Sequence, residues 1–488
     1  MRFAERVARA GARLRQAEPL MRLMSRDAFG RVQADLDRRL MVCAQFALHE
    51  QAVVQAALQG QLPWMQPAGV GAGDTFVPDA EAVVAGLPDL VDITNQTEAD
   101  WSRGASALLR ALADDAAAMQ VDLADGVIRD IDPAMSDPHD GGRMTAVLAL
   151  SDGRILVYKP RPLDMEAQFA RLVRWLSDAG IGPRIDAAPV LARAEDHGWM
   201  GFVAHDPCRT QAEMEGYWQK AGGLYCLLTI LQATDIHREN IVASGGCPVL
   251  VDAETLFQPR PWAMGASSPQ DLLRDTMMLP PFGADTASDF SAFCSRAGDA
   301  TAIRVAGPGG TDAPYRLPAC QNLPHLGGRF HGAEDYPDAL TDGFAWMFRD
   351  LVQHRDALSA DGGPLRAFAT ARGRYVARGT QSYGAMLRAS LSPAVLGQAG
   401  GRRAMLRDQL RETRTDRSPA TFEAQELNAL ARMDVPRLTC RPGDPGPEGH
   451  WRAPLQEVCD RLAMLSGDDL PHWLAGMPPL TTAPRRVG

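Results

Sequence analysis

The chain has 488 residues, 45% of them hydrophobic and 23% charged, and a formal net charge of −10. That balance belongs to a folded globular protein, and an acidic chain without a basic stripe excludes nucleic acid as an expected partner. Eight scattered cysteines with no C-x-x-C pair argue against a zinc site or a disulfide framework, and no apolar run approaches the about 18 residues that a membrane span needs. A reducing cytoplasm is the expected location.

Residues 1 to about 58 carry apolar side chains at helical spacing, and the Arg-rich start lacks the apolar centre of a signal peptide. Gly60 to Pro78 is a Gly/Pro-rich break, after which Glu81 to Gln120 is helical again. Strands are predicted at Val127–Ile131, Met144–Leu150 and Arg154–Tyr158, the last two joined through the Asp152-Gly153 turn. An amphipathic helix at Ala167–Ala179 precedes short strands at Pro189–Ala192 and Trp199–Ala204, and a long helix, Gln211–Gln232, follows. From Pro259 to about Gly332 the chain reads as loop, with Arg304–Pro318 its least structured part. Helices are expected at Tyr336–Ser359, Pro364–Thr370, Gln381–Leu391, Pro393–Thr413, Pro419–Arg432 and Ala453–Ser466, with a linker from Arg441 and a disordered tail, TTAPRRVG, at the end. This order of strands, helix, strands, helix and hairpin is that of an α+β, two-lobed protein/lipid-kinase-like core with large helical N- and C-terminal additions. The division it suggests is 1–115, helical; 116–265, the core, with strands to about 205 and the catalytic helix and loop at 211–257; and 266–488, an activation-loop-like segment and helical C-terminal region.

Chemistry concentrates between Thr234 and Phe257. Asp235 and Asn240 have the spacing of a kinase catalytic loop, and Asp252 follows a hairpin built from Ile241–Ser244 and Pro248–Val251 about a Ser-Gly-Gly turn. In that arrangement the first Asp orients or deprotonates a hydroxyl, and the Asn and second Asp hold Mg²⁺ against ATP phosphates. Phosphoryl transfer needs such a set because its transition state gathers charge on phosphate oxygens. An acidic surface turn is the alternative, since Asp and Asn are common in turns. Only two lysines, Lys159 and Lys220, remain among 50 basic residues. Lys159 ends an apolar strand, where a kinase places the lysine that grips nucleotide phosphates; the alternative is a surface lysine. Lys220 reads as a solvated helix side chain.

These residues resemble the dehydratase domain of class II lanthipeptide synthetases. The family pattern T-D-x-H-x-E-N-I-I-A, then D-x-E-T-L-F, is matched at Thr234, Asp235, His237, Glu239, Asn240, Ile241, Ala243, Asp252, Glu254, Thr255, Leu256 and Phe257. Its Y-K-P-R is matched at Tyr158–Arg161, and its D-x-H-x-x-G-R at Asp137, His139, Gly142 and Arg143. An Arg and a Thr six residues apart, matched by Arg374 and Thr380 with Tyr383 in step, serve elimination in that family. LLRDTMMLP after Ser268 and MDVPRL after Arg432 are further landmarks.

The resemblance implies ATP-dependent phosphorylation of Ser and Thr in a leader-bearing precursor peptide, then loss of phosphate to leave dehydroalanine or dehydrobutyrine. Lys159, Arg143 and Glu254 would serve the nucleotide, Asn240 and Asp252 would hold Mg²⁺, and His237 would support the loop. Asp137 and His139 would act near the nucleotide. Arg374, with Arg378 as a second candidate, would take the phosphate. Ser136 stands where the family has Gly, and Trp199-Met200-Gly201-Phe202 lacks the family's Glu. The family's zinc cyclase motifs are not found around Cys440 and Cys459, so the chain reads either as a fragment cut before the cyclase or as a stand-alone dehydratase, the reading that the tail TTAPRRVG favours, with a separate LanC-like cyclase as a candidate partner. A plain peptide or small-molecule kinase, and a non-catalytic precursor-binding scaffold, remain as other readings.

Overall fold

The computed structural model describes residues 3–58, 79–280, 289–294, 301–306, 312–317, 320–478 and 480; the expected break at 60–78 and the tail at 481–488 lie outside these. The chain is a mixture of helices and small antiparallel sheets. It divides into two compact units: one of Met1–Pro160, Arg304–Ala313 and Ala377–Arg437, the other of Arg161–Ile303, Pro314–Val376 and Leu438–Gly488. Among the described residues no helix is long and apolar enough to cross a membrane.

In the first unit, helices Ala4–Ala17, Arg26–Leu58 and Pro88–Met119 form from the periodic N-terminal third. Pro88 opens the last of these, where its missing N–H is harmless, and Gln120 closes it in the left-handed conformation. The two long helices pack against each other, Leu36, Leu40, Leu109 and Leu112 on them are buried, and buried Trp101 donates its indole N–H to Val32 O at 2.9 Å. Strands Ile128–Asp132, Ala146–Leu150 and Ile155–Lys159 follow as an antiparallel meander, with Ile131 opposite Leu148 and Leu148 opposite Leu156. All five residues of the central strand are buried. Helices Thr380–Ser390, Gly401–Glu412 and Glu423–Ala431 close a second core about Tyr383, Leu406, Leu410 and Leu430.

In the second unit, the Gln211–Ile230 helix is the central member, capped by the Thr210 hydroxyl, which accepts from Glu213 N at 3.1 Å. From Ala221 to Ile230 every residue is buried, so no polar face is left, as expected of a helix inside a core. It lies so close to the Pro337–Gln353 helix that only glycine fits at the crossing. A Cβ at Gly222 would stand 1.8 Å from Leu340 O, and one at Gly343 1.8 Å from Gln219 O. Tyr225 meets Phe344 edge-on at 5.6 Å. Strands Val190–Arg193 and Gly198–Gly201 pair antiparallel, as do Ile241–Ser244 and Cys247–Leu250 through the Gly245-Gly246 turn.

Several expectations need correction. The helix expected at Tyr336–Ser359 is interrupted at His354. That expected over Pro393–Thr413 breaks where Gly400 takes φ +75°, giving Pro393–Leu396 and Gly401–Glu412. The Pro364–Thr370 segment holds only a short 3₁₀ turn at Arg366–Phe368. Strands occupy Thr301–Ala306 and Asp312–Leu317, within or beside the stretch read as least structured. Lys220 is not simply solvated: it is half-buried, and its Nζ donates to Gly246 O at 2.7 Å, tying the central helix to the hairpin turn.

Candidate functional site

The segment from Thr234 to Asn240 leaves the central helix of the second unit and is held on both sides by backbone carbonyls. Thr234 Oγ1 donates to Asp275 O at 2.7 Å, and Thr255 Oγ1 donates to Thr234 O at 2.6 Å. Ile236 N reaches Thr276 O at 3.1 Å, and Val251 N reaches Asn240 O at 2.9 Å. Asn240 Nδ2 spans the loop to Asp235 O at 2.8 Å. Asp235 has φ +60°, a left-handed conformation that Asp tolerates better than most residues but that still stores strain. The loop's many anchors hold it there. His237 takes part through Asn240 N, which donates to its carbonyl at 2.9 Å.

Five charged side chains of the same unit interlock beside this loop. Arg161 donates through Nη2 to Glu166 Oε1 at 2.6 Å and to Asp252 Oδ1 at 2.7 Å, and its Nε lies 3.0 Å from Glu254 Oε2. Glu254 Oε1 in turn lies 3.4 Å from Arg374 Nη1. Burial alone would lower both arginine pKa values. The surrounding carboxylates outweigh it and hold them above the usual value: Asp252, Glu166 and Glu254 for Arg161, and Glu254, Asp235 and Asp252 for Arg374. Burial pushes Asp235 above the usual carboxylate range, opposed by His237 and Arg374 and reinforced by Glu254 and Asp252. Such opposed environments recur where proton transfer is managed.

Two buried polar atoms in this cluster have no hydrogen-bond partner, Arg374 Nε and Glu166 Oε2. An unsatisfied guanidinium N–H in a buried position suits an anionic oxygen. Among the described residues no group of three or more His, Cys, Asp or Glu is arranged to hold a metal ion. Mg²⁺ needs no such group, because it is bound by one or two protein oxygens with waters and substrate phosphates. Asn240 and Asp252 supply donors of that hard-oxygen kind, so the residues present fit Mg²⁺ and a nucleotide phosphate.

Of the residues singled out by sequence, Asp235, His237, Asn240, Asp252, Glu254 and Arg374 belong to this unit, and Asp137, His139, Arg143, Lys159 and Thr380 belong to the other. Lys159 ends its strand with 5% exposure. Thr380 is the first residue of its helix. Arg378 is not placed to bind a phosphate. Its Nε serves Glu426 at 2.9 Å, Nη1 serves Thr413 O and Oγ1, and Nη2 serves Leu410 O at 2.9 Å. Tyr383 OH joins the same Glu426 at 2.7 Å. These side chains fasten a helical corner.

Asp137, His139 and Arg143 lie on a loop that is zipped to the segment after Arg432. Asp434, 1% exposed, accepts from Gly141 N at 2.6 Å and Gly142 N at 2.9 Å. His139 Nδ1 lies 2.6 Å from Val435 O, and Val435 N reaches Pro138 O at 2.8 Å. Both glycines have positive φ, +91° and +72°, which directs two successive N–H groups at one carboxylate. Sequence reading passed over Asp434 and Glu166; the MDVPRL landmark was the available signal for Asp434.

Burial pushes the Asp434 carboxyl up to about 6, opposed by the two glycine N–H groups. Because this folded value exceeds the unfolded one, the ionised group weighs against the fold. Its contribution is most favourable below about pH 4 and is lost as pH rises through 6, on the order of 3 kcal/mol in all. Asp434→Asn is expected to abolish that slope, because a neutral amide does not titrate. Urea unfolding midpoints of both proteins between pH 4 and 8 measure this; parallel curves would contradict it.

A family model described as "Domain of unknown function (DUF4135)" matches residues 87–441. The chain is also similar to the lacticin 481/lactococcin biosynthesis protein LcnDR2 of Lactococcus lactis subsp. lactis, at 22% identity over 285 residues. That match covers 53% of this chain and 30% of the relative's length.

Proposed function

Because the chain belongs to the DUF4135 family, we propose that it dehydrates Ser and Thr residues of a ribosomally made precursor peptide in lanthipeptide-type biosynthesis, using ATP and Mg²⁺. The likeness to a lacticin 481/lactococcin biosynthesis protein supports the pathway. The observation that carries the chemistry is the strained Asp235 with the buried, incompletely satisfied Arg374 acting on its charge.

In this reading the nucleotide supplies the phosphoryl group and Mg²⁺ neutralises charge on its oxygens. Asp235 orients the substrate hydroxyl and accepts its proton as the new O–P bond forms and the bond from the γ-phosphorus to the bridging oxygen breaks, releasing the nucleoside diphosphate. Asn240 and Asp252 would hold the cation, with Arg161 and Glu254 fixing the Asp252 side chain and His237 the loop. Lys159 and Arg143 pair with phosphate oxygens, and Asp137 and His139 serve the same end of the reaction. In elimination a base in the site takes the Cα proton, the Cα–H electron pair forms the Cα=Cβ bond, and phosphate leaves with the Cβ–O pair. Arg374 takes the leaving phosphate through N–H groups such as its unpartnered Nε, and Thr380 serves beside the reacting residue.

The test is mass spectrometry of a Ser/Thr-rich precursor incubated with the protein, ATP and Mg²⁺. Loss of one water per modified site is expected. Arg374→Ala is expected to slow elimination by about 10²-fold or more, so that phosphopeptide accumulates. Fully dehydrated product from that variant would remove Arg374 from the mechanism, and stable phosphopeptide from the unmutated protein would leave a kinase without elimination.

A further inference from the structure

Glu166 lies in the charged cluster beside the Asp235 loop, and the reaction proposed above gives it no part. It stands in the first turn of the helix Asp164–Asp178 and is 4% exposed. Its Oε1 accepts from Arg161 Nη2 at 2.6 Å and from the N–H of Ala253, the residue after Asp252, at 3.3 Å. Its Oε2 is buried with no hydrogen-bond partner. The same Arg161 Nη2 donates to Asp252 Oδ1 at 2.7 Å, so Glu166 and Asp252 divide one nitrogen of one guanidinium. Arg161 Nε lies 3.0 Å from Glu254 Oε2, and Nη1 donates to Pro162 O at 3.1 Å.

Stability alone does not explain this carboxylate. A buried ion pair is commonly no more stabilising than apolar residues of its size, and a bare buried oxygen costs free energy. Charge does account for it. Glu166, Asp252 and Glu254 surround Arg161, and Arg374 lies against Glu254. Apart from Asp235, three carboxylates thus face two guanidiniums, a surplus of one negative charge. Without Glu166, Arg161 and Arg374 would match Asp252 and Glu254 one for one, and Arg161 Nη2 would serve Asp252 alone. A cation would then compete with a guanidinium for a carboxylate whose charge is already neutralised.

We propose that Glu166 is a positioning residue for the cation: it shares Arg161 with Asp252 and supplies the surplus negative charge with which Asp252 takes a divalent ion. This rests on the reading that Asn240 and Asp252 hold Mg²⁺.

Electron paramagnetic resonance of free Mn²⁺, titrated with the full chain and a non-hydrolysable ATP analogue, tests it without a peptide substrate. Glu166→Gln keeps the size of the side chain and an oxygen for Ala253 N while removing the charge, and should weaken Mn²⁺ binding about 10–100-fold. The double variant Arg161→Met/Glu166→Met removes one charge of each sign and so restores the surplus. It should bind Mn²⁺ about tenfold more tightly than Glu166→Gln, or better. Urea unfolding follows the fold of each variant; a purely structural Glu166 would change those midpoints without this reversal in affinity. Mn²⁺ binding by Glu166→Gln equal to that of the unmutated protein, or no recovery in the folded double variant, would overturn the proposal and leave the Mg²⁺ reading standing. No Mn²⁺ binding by the unmutated protein would remove the Mg²⁺ reading itself, and the proposal with it.

Discussion

Asp252→Ala is expected to leave the precursor peptide unmodified, with neither dehydrated nor phosphorylated species formed at more than about 10⁻²–10⁻⁴ of the original rate. The side chain is proposed to hold the cation that neutralises the transferring phosphoryl group, so its loss acts before the first covalent step. Arg374→Ala acts after that step, and the two variants should therefore differ in kind: unmodified peptide from one, phosphopeptide from the other. The fold should survive Asp252→Ala, because Arg161 keeps Glu166 and Glu254 as partners and is not left alone with its charge. A time course of product masses under saturating ATP and Mg²⁺ decides the matter, and phosphopeptide at the original rate from Asp252→Ala would sink the metal-holding role. The same assay across pH should show activity falling on the acid side above the ordinary aspartate range, since burial raises the carboxyl of Asp235.

The largest structural effect is expected from Gly222→Ala. Its methyl group would lie 1.8 Å from Leu340 O and 2.8 Å from Phe344 N, both backbone atoms of the facing helix. No rotamer change can relieve a collision with backbone, so the two helices must separate. Their shared core, with Trp218, Tyr225, Phe344 and Phe348 buried, must then open. A loss of about 3 kcal/mol or more is expected, a large part of a typical domain's stability. Gly216→Ala on the same helix meets nothing within 4 Å, and there alanine's helix preference should stabilise by about 0.5–1 kcal/mol. Opposite shifts of the two variants in denaturant unfolding would support the observed crossing. Equal shifts would contradict it.

How far the chain could be read in advance depended on the range of the interactions. The hairpin about Ser244–Gly246 and the long helices were legible because turn chemistry and apolar period act over a few residues. That Asp235, Asn240 and Asp252 share one loop and hairpin was legible for the same reason, their spacing being local. The break at Gly400 was missed because one left-handed residue interrupts an otherwise helical pattern. Asp434 was missed because its partners, Gly141 and Gly142, are more than 290 residues away. Arg378 was misread because the groups that saturate it, Leu410, Thr413 and Glu426, come from two later segments. Glu166 joins Arg161 to Ala253 N, 87 residues on, and no local pattern signals that.

The first unit's main segments, Met1–Pro160 and Ala377–Arg437, have an outcome for synthesis on the ribosome. Asp89 binds the N–H groups of Gly400 and Arg402, and the 137–143 loop waits for Asp434 and Val435. The opening third therefore emerges long before the residues that complete it. During that interval the nascent chain carries helices whose partners have not yet been translated, a span of more than 200 residues or roughly ten seconds or more of elongation. Expression of residues 1–160 alone should yield an aggregation-prone fragment that calls on chaperones, and co-expression with residues 377–437 should return it to solution.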